Sequence, residues 1–357
     1  MYQWYGLYIS MAHMKLSYVP KTLAFKRPFS IAHGSRDSTP VVFTRLEHEG
    51  VFGYGEASMP PYLAEDHPTV LAFLAKAKIL LQQFKPADEI ESILSAVDEI
   101  EKGNTAAKAC IDIALHDLVG KLQNKPCHEL LGADKLKTLF TAYTIPMDDP
   151  QGIRERIEEA KEYSILKVKL GSINDKKIIE EIRKHTSKNI IVDANEGWAD
   201  KNTALEMIEW LSGQNVLLVE QPMPKVQVEA TAWLSAKSPI PIIADEAVQR
   251  LSDIEKAKGV YTGINIKLMK CTGLHEAQKM ILLARKYGMK IMIGCMSETS
   301  CGVSAAAQLA PLVDWIDLDG PLLLKEDFFD GALFSKGKII LNDLPGIGVK
   351  PNTALFQ

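Results

Sequence analysis

Three acidic residues recur at nearly regular intervals along the middle of the chain, each at the end of a short apolar run. They are Asp193 after Ile-Ile-Val, Glu220 after Leu-Leu-Val and Asp245 after Ile-Ile-Ala. Runs rich in β-branched residues are typical of buried strands. One such acid alone would be interpreted as a helix cap or a loop residue. Three at successive strand ends predict a metal site, and three oxygen ligands suit Mg²⁺.

Lysines end two further apolar runs, one on each side of the acids. Lys167 and Lys169 share one face of a strand because side chains alternate, and Lys267 ends a later run. Neighbouring ammonium groups and burial both lower a lysine pKa, so the pair predicts a base that works near neutral pH. The alternative is that both amines extend into solvent. Lys270 is a second candidate near Lys267, ranked lower because it falls in the following loop.

Other polar residues follow the predicted strand ends. Asn195 would share the face of Asp193 and support that ligand from behind. Asp317 and Asp319 close the last predicted strand and would suit a cationic group on a ligand. The alternative for this pair is a solvated loop. Glu298 follows another strand, where it would contact a ligand or cap the next helix.

The order of predicted elements indicates two units. Alternating residues predict antiparallel strands at 14–26, 39–48 and 51–57, followed by helices at about 69–84, 90–102 and 105–122. Such an α+β unit is assigned to residues 1–135, as a capping domain. The tail from about 325 to 357 includes a further strand-like segment and is expected to return to this domain.

Residues 136–324 instead repeat a strand, a loop and a helix. Eight strands are predicted, at 138–144, 165–169, 190–193, 216–220, 241–244, 264–267, 290–294 and 314–317. Parallel strands need helical crossovers, so the fold class is α/β, with a (β/α)-barrel of the modified TIM type. Active sites of such barrels lie at the carboxyl ends of the strands, where the acids and lysines fall.

Composition excludes several classes of function. The 357 residues have a formal net charge of −4 and no basic block, which disfavours nucleic acid or an anionic membrane as a partner. Five scattered cysteines without a CxxC motif predict neither disulfides nor a zinc site, and favour the cytoplasm. No apolar run reaches the roughly 18 residues of a membrane span. A small-molecule enzyme or binding protein remains, with a homo-oligomer compatible with these numbers.

Taken together, the motifs resemble the enolase superfamily, within it the subgroup that includes muconate cycloisomerases. The matching segments are Lys167-Val-Lys169, Asp193-Ala-Asn195, Glu220-Gln-Pro, Asp245-Glu246, Lys267-Leu-Met-Lys-Cys-Thr-Gly273 and Gly294-Cys-Met-Ser-Glu298. The resemblance implies that the three acids bind Mg²⁺ and that Lys169 and Lys267 are the acid/base catalysts. It also implies supporting residues, namely Lys167, Asn195 and Glu246, and substrate contacts from the loop that holds Met296 and Glu298.

Within that subgroup, Asp317-Leu-Asp319 resembles the motif by which dipeptide epimerases hold the substrate's α-ammonium. The implied reaction inverts the α-carbon of the C-terminal residue of a dipeptide. One lysine removes the proton from one face of the α-carbon, which leaves an enediolate, and the other lysine returns a proton to the same carbon from the opposite face. N-acylamino acid racemase and o-succinylbenzoate synthase are alternatives, but their substrates carry no ammonium. A non-catalytic, metal-dependent small-molecule binding protein is the alternative of another class, and it would not need two opposed lysines.

The resemblance also implies that two capping-domain loops select the substrate's second side chain. They are expected at about 27–38 and 56–66, and the second, which contains Tyr62, is mostly apolar. In Ala-Glu epimerases the first loop has Pro-Phe followed closely by an arginine that pairs with the glutamate.

Counting from Pro28-Phe29, Gly34 stands at the arginine's expected place, and Arg36 comes two residues later. A buried carboxylate without a cation is costly. The sequence therefore favours a dipeptide of Ala with a small or hydrophobic partner. Ala-Glu is the alternative, if Arg36, Arg27 or His33 reaches inward.

Overall fold

An antiparallel sheet begins the described part of the chain. The structure is a computed structural model that describes residues 13–31, 34–137 and 139–356. Its first three strands, in spatial order, are β1 (Lys15–Ile31), β2 (Gly34–His48) and β3 (Val51–Ser58). Glu49 and Gly50 join β2 to β3 with positive φ angles of 49° and 80°. Two such residues form the tight turn that favours hairpins, so the predicted strands and their turn are confirmed.

Four helices follow the sheet: α1 (His67–Leu81), α2 (Ile90–Glu99), α3 (Thr105–Leu122) and α4 (Cys127–Leu130). The side chain of Asp66 caps α1 by accepting from the Thr69 backbone N–H. Helix α3 lies directly on the sheet because Gly55 has no side chain. A Cβ atom at Gly55 would lie 2.0 Å from the Cys110 carbonyl oxygen. The Thr44 hydroxyl donates to the same carbonyl at 2.9 Å, which joins β2 to α3.

Eight parallel strands form the second unit. In chain order they are β4 (Ala142–Ile145), β5 (Ile165–Lys169), β6 (Asn189–Asp193), β7 (Val216–Glu220), β8 (Ile242–Ala244), β9 (Gly263–Lys267), β10 (Lys290–Gly294) and β11 (Trp315–Asp317). Each strand pairs with the next in sequence, and a bridge between Thr141 and Ile316 connects the two edges. The predicted barrel is therefore confirmed. Its interior is filled by buried apolar side chains, Ala142, Ile191, Leu218, Ile243 and Met292.

Helices connect the strands of the barrel. They are α5 (Pro150–Glu159), α6 (Asp175–His185), α7 (Lys201–Ser212), α8 (Val228–Lys237), α9 (Ile254–Ala257), α10 (Leu274–Lys286), α11 (Ser300–Ala307) and α12 (Gly320–Leu323). The crossover after β8 is reduced to α9 and one short 3₁₀ turn. Nowhere in the described ranges is a helix both long and apolar enough to cross a membrane.

The first barrel strand begins later than the predicted 138–144. Residues just before it pair with the C-terminal tail instead: Phe140 forms a bridge with Lys338, and the Thr141 N–H donates to Gly337 O at 2.8 Å. The tail contains β12 (Phe329–Asp330), β13 (Leu333–Ser335), β14 (Lys338–Ile340) and β15 (Lys350–Pro351). Gly346 in this tail exchanges backbone hydrogen bonds with Lys125 and Cys127 beside α4. The domain boundaries at 135 and 325 stay a prediction.

Candidate active site

The predicted functional residues lie at one end of the barrel because neighbouring strands end in register. Lys169 pairs with Asp193, and Asp193 pairs with Glu220 on the next strand. On the other side, Lys267 and Asp317 both pair with the last residue of β10. Each apolar run is buried in the barrel wall, so its last side chain projects at the mouth.

Asp193, Glu220 and Asp245 form a compact carboxylate cluster. All three are buried, and each offers an oxygen atom within 4.8 Å of the others. The Asn195 N–H donates to Asp193 Oδ1 at 3.0 Å, and its side-chain amide donates to Glu246 Oε1 at 3.2 Å. Three converging hard oxygen donors fit Mg²⁺, and the hydrogen bond from Asn195 orients Asp193.

Asn265 belongs to this cluster, and the sequence analysis missed it. Its Nδ2 donates to Glu220 Oε1 at 2.6 Å. The available signal was its place two residues before Lys267, which puts both side chains on the same face of β9. Lys167 and Lys169 have the same spacing on β5.

Lys169 and Lys267 lie on opposite sides of the cluster. Strands β5 and β9 are the second and sixth of the eight barrel strands, so they stand half a turn apart. The Lys169 Nζ atom lies 2.7 Å from Asp193 Oδ2, and Lys267 Nζ lies 2.6 Å from Asp245 Oδ2. Each amine is therefore held by a different acid of the cluster, and both line one cavity.

Lys167 is embedded among the acids and has a different setting from the one expected. Its Nζ lies 2.7 Å from Asp317 Oδ2, 2.7 Å from Glu220 Oε2 and 3.2 Å from Asp193 Oδ2. Burial lowers the pKa of Lys167, but these three carboxylates outweigh it and raise the pKa well above its usual value. The expected lowering by a neighbouring ammonium is therefore not found at this residue. The pKa of Lys267 is likewise raised, against burial, chiefly by Asp245.

Lys270 is buried behind the cluster. Its Nζ contacts Asp245 Oδ1 at 2.5 Å, Asp245 O at 2.7 Å and Asn265 O at 3.1 Å. It is not among the cavity-lining residues, whereas Lys267 is. This geometry agrees with the prediction that Lys267, and not Lys270, is the base on this side.

Asp317 and Asp319 face the cavity from β11 and the turn after it. Asp317 Oδ2 accepts from Lys167, and its buried Oδ1 has no hydrogen-bond donor among the described residues. Asp319 Oδ2 accepts from the Thr144 N–H at 2.6 Å. Burial, followed by the charge of Asp317, raises the pKa of Asp319 to about 7. The pair is enclosed and acidic, so it forms no solvated loop and suits a cationic group.

The loop after β10 meets the capping domain over the cavity. The Tyr62 hydroxyl donates to Met296 Sδ at 2.8 Å, although the tyrosine as a whole is 45% exposed. The Ser58 hydroxyl donates to Ser297 O at 3.0 Å. Tyr62 and Met296 therefore both line the cavity where the two domains close it.

Glu298 lies behind the cavity wall instead of at the ligand. Its Oε1 accepts from the Met296 N–H at 2.6 Å, and only 1% of the residue is exposed. Thr299, not Glu298, caps α11 by accepting from the Cys301 N–H. The structure thus supports neither expected role for Glu298, because its carboxylate turns back to hold the loop.

The expected loop at 27–38 is the continuation of the β1–β2 hairpin. A register shift after Ala24 leads to a new pairing in which Phe29 stands opposite Arg36. Arg36 therefore lines the cavity beside Phe29, although it comes late in a linear count. Arg27 turns outward to Glu155 and Glu159. The third expected cation, at position 33, lies outside the described residues.

The Arg36 guanidinium has few polar partners inside the cavity. Its buried Nη1 has no hydrogen-bond acceptor within the described ranges, and its Cζ lies 5.8 Å from the Phe25 ring centroid. Burial lowers the pKa of Arg36. A cation in this position is complementary to an anionic group of a ligand.

Comparisons with known proteins agree with this geometry. The L-Ala-D/L-Glu epimerase of Bacteroides thetaiotaomicron is 52% identical over 94% of this chain and 88% of its own. The structure of the L-Ala-D/L-Glu epimerase from Bacillus subtilis with substrate has a TM-score of 0.90 at 28% identity, covering 95% and 99% of the two chains. A dipeptide epimerase from Cytophaga hutchinsonii, solved with Mg and D-Ala-L-Val, also has a TM-score of 0.90, at 27% identity and 96% and 97% coverage.

Family models account for most of the chain. Residues 14–132 match the mandelate racemase/muconate lactonizing enzyme N-terminal domain. Residues 152–355 match the enolase C-terminal domain-like family. The chain therefore belongs to the enolase superfamily, in the group of mandelate racemase and muconate lactonizing enzyme.

Proposed function

We propose that this protein is a Mg²⁺-dependent dipeptide epimerase, an isomerase that inverts the α-carbon of the C-terminal residue of its substrate. The observation that carries the proposal is the opposition of Lys169 and Lys267 across three clustered acids. Dipeptide epimerases related to this chain along nearly their whole length support it.

Two parts of the cavity would bind the two charged ends of a dipeptide. The α-ammonium lies against Asp317 and Asp319, where a cation supplies the buried carboxylates with a counter-charge. The terminal carboxylate lies at the cluster of Asp193, Glu220 and Asp245. Mg²⁺ bound there supplies positive charge beside that carboxylate, where negative charge collects as the α-proton leaves.

The two lysines then exchange protons with the α-carbon from opposite faces. Lys169 removes the proton from one face of the α-carbon, while Lys267 donates a proton to the other face. The roles reverse for the other epimer. The ion pairs with Asp193 and Asp245 aim the amines and keep each within reach of the α-carbon between them.

For the second side chain, the structure supports the alternative, L-Ala-D/L-Glu, over a small or hydrophobic residue. Arg36 lines the cavity with a buried, unpaired Nη1 atom among the described contacts. A glutamate carboxylate would satisfy this guanidinium, whereas an apolar side chain would leave its buried Nη1 atom without a partner. The 52% identical relative is an L-Ala-D/L-Glu epimerase, which agrees with this preference.

The alternatives within the family fit this cavity less well. The substrates of N-acylamino acid racemases and o-succinylbenzoate synthases carry no ammonium, so Asp319 and the buried Oδ1 atom of Asp317 would gain no cationic partner from them. A non-catalytic binding protein has no use for two lysines on opposite sides of one cluster. N-acetyl-Ala-Glu, which lacks the ammonium, should therefore be a poor substrate.

Chiral chromatography of Ala-Glu, Ala-Gln and Ala-Val incubated with enzyme and Mg²⁺ tests the proposal. We expect Ala-Glu to epimerise with the highest kcat/KM, and Arg36→Gln to remove the advantage over Ala-Gln. Arg27→Gln is the matched control, because Arg27 pairs with Glu155 and Glu159 outside the cavity. Turnover of none of the three dipeptides would reject the proposed activity. A preference for Ala-Val would reject only the acidic side chain.

The cysteines bear on where the enzyme works. All five thiols are free, and four are buried. A reducing compartment keeps thiols in this state, so we propose a cytoplasmic location, to be tested by cell fractionation.

A further inference from the structure

A second cavity lies beside the active site, between the capping sheet and the barrel. Its volume is about 440 Å³. Phe29 and Leu323 line both this cavity and the active site, so they form a shared wall. The remaining lining residues are aromatic or charged, apart from one leucine: Phe25, Lys26, Arg27, Tyr143, Arg156, Glu159, Tyr163 and Leu322.

Arg156 is a buried cation in the wall of this cavity. It lies on α5, only 6% exposed, and its Nε atom is buried without a hydrogen-bond acceptor. Within residues 13–31, 34–137 and 139–356, no hydrogen bond or ion pair to its guanidinium is present. A buried guanidinium without a partner is costly, so it indicates a group that the protein chain does not supply.

The nearby carboxylate does not neutralise Arg156. Glu159 Oε1 lies 2.9 Å from Arg27 Nη2, and Glu159 Oε2 accepts from the Tyr143 hydroxyl at 2.7 Å. Both oxygens of Glu159 are thus engaged. Lys26 adds another positive charge to the lining. The cavity therefore holds more cationic than anionic side chains, and the buried one among them is unpaired.

We propose that this cavity binds a carboxylate group through Arg156. A guanidinium presents two parallel N–H donors that match a carboxylate. The Tyr143 and Tyr163 rings, whose centroids are 5.2 Å apart, offer an apolar surface for the carbon chain that carries it. No residue of the active site is needed to form this contact.

Two kinds of ligand carry a carboxylate that could bind to Arg156. The first, which rests on the proposed function, is an acidic side chain on the N-terminal residue of the dipeptide. Burial is the main cause of the raised pKa of Tyr143 and Tyr163. The charge of Asp319, proposed to bind the α-ammonium, adds to it at both residues, after Glu159 at Tyr143, so Asp319 lies near this cavity. The second source is a free dicarboxylate that binds the cavity independently of the substrate.

Isothermal titration of succinate and glutarate into the protein tests the site without any assay of activity. We expect Arg156→Gln to weaken binding about tenfold or more, as for a lost charge-assisted pair. Arg154→Gln is the matched control, since Arg154 is exposed on the same helix. Binding should persist in Arg36→Gln, which separates this site from the cation in the active site. If Arg156→Gln does not fold, Arg156→Lys replaces it as the test. Lysine keeps the charge but lacks the two parallel N–H donors, so dicarboxylate binding should again weaken.

Kinetics separate the two sources. If the substrate supplies the carboxylate, Glu-Glu should have a higher kcat/KM than Gln-Glu, and Arg156→Gln should abolish the difference. Dicarboxylate binding without that preference assigns the site to a free ligand. Absence of both in the wild-type protein would overturn the proposal. If wild-type protein epimerises no dipeptide, the proposed function fails, while the titration still decides whether the carboxylate site exists.

Discussion

The three active-site lysines differ in the acids that they contact. Lys169 contacts Asp193, and Lys267 contacts Asp245, so the two amines are fixed on opposite sides of the same cluster. Lys167 instead lies among three carboxylates, which keep it protonated. It is therefore suited to balancing charge, whereas the other two amines each contact one acid and stand on opposite sides of the cluster.

Substitution of either outer lysine should separate proton exchange from epimerisation. Lys169→Ala and Lys267→Ala should each lower net epimerisation by about 10²–10⁴-fold, as for loss of a general base. Each variant should still exchange the α-proton of one epimer with D₂O through the lysine that remains. Mass spectrometry of the separated epimers measures this exchange. Equal exchange of both epimers by either variant contradicts the assignment.

Loss of one acid from the cluster should weaken metal binding. Asp193→Asn, Glu220→Gln and Asp245→Asn should each reduce Mg²⁺ affinity about tenfold or more, because each removes a charged oxygen ligand. Wild-type activity should disappear in EDTA and return with Mg²⁺. Titration calorimetry measures the affinity directly. Full activity after chelation would rule out the metal's role.

Protonation of Asp319 should limit activity on the acid side. Its folded-state pKa is raised to about 7, by burial and by the charge of Asp317, so the carboxyl loses its charge as pH falls through that value. Since the neutral form attracts an ammonium less, kcat/KM should fall below about pH 7. The limb for kcat should lie at lower pH, because bound ammonium favours the carboxylate. Asp319→Asn should lower kcat/KM and remove its fall below about pH 7. An unchanged dependence of kcat/KM on pH would exclude Asp319 as the group that binds the ammonium.

At the scale of elements, strand ends were the most predictable feature. Strands β5, β7 and β9 end at Lys169, Glu220 and Lys267, as predicted, because a branched apolar run gives way to a single charged residue at each. The hairpin that carries Arg36 was not predictable by counting. Its register shifts between Ala24 and Phe29, and cross-strand pairing brings a residue late in the sequence back beside the site.

The contact between β3 and the loop after β10 should make stability depend on pH. Burial, with the charge of Glu56, raises the pKa of Glu298 to about 8, and burial raises that of Glu56 to about 7. A carboxyl with a raised folded-state pKa favours folding while protonated. Stability contributed by Glu298 should therefore fall as pH rises from its unfolded value, about 4.3, to about 8.

Glu298→Gln should remove that loss, so the variant should gain stability relative to wild type at pH 8 compared with pH 5. Urea denaturation at the two pH values measures the difference. Glu56→Gln is the contrasting variant. Glu56 accepts hydrogen bonds from the Thr299 N–H, the Thr299 hydroxyl and the Gly302 N–H, so its loss should destabilise at both pH values. The loss should be larger at pH 5, because the raised pKa of Glu56 favours folding while its carboxyl is protonated. A Glu298→Gln effect that does not change with pH would contradict this account.

At the scale of the molecule, side chains of the capping domain and the barrel contact each other. Arg250 in the barrel joins Asp98 of α2 to Glu276 of α10, and Tyr62 reaches Met296 across the cavity. Composition and periodicity predicted the two kinds of architecture, since each has its own repeat. They did not predict the contacts between them, or the unpaired Arg156, because those depend on how distant surfaces meet.

Isotope incorporation at the earliest stage of turnover tests the central claim, epimerisation by two opposed bases. The enzyme, Mg²⁺ and L-Ala-L-Glu in D₂O are sampled before a few per cent has reacted. The account predicts that the D-Glu epimer formed carries deuterium at its glutamyl α-carbon, while unreacted substrate keeps its proton and the alanine α-carbon stays unlabelled. A product that retains the original proton, or the absence of any exchange at the glutamyl α-carbon, would contradict it.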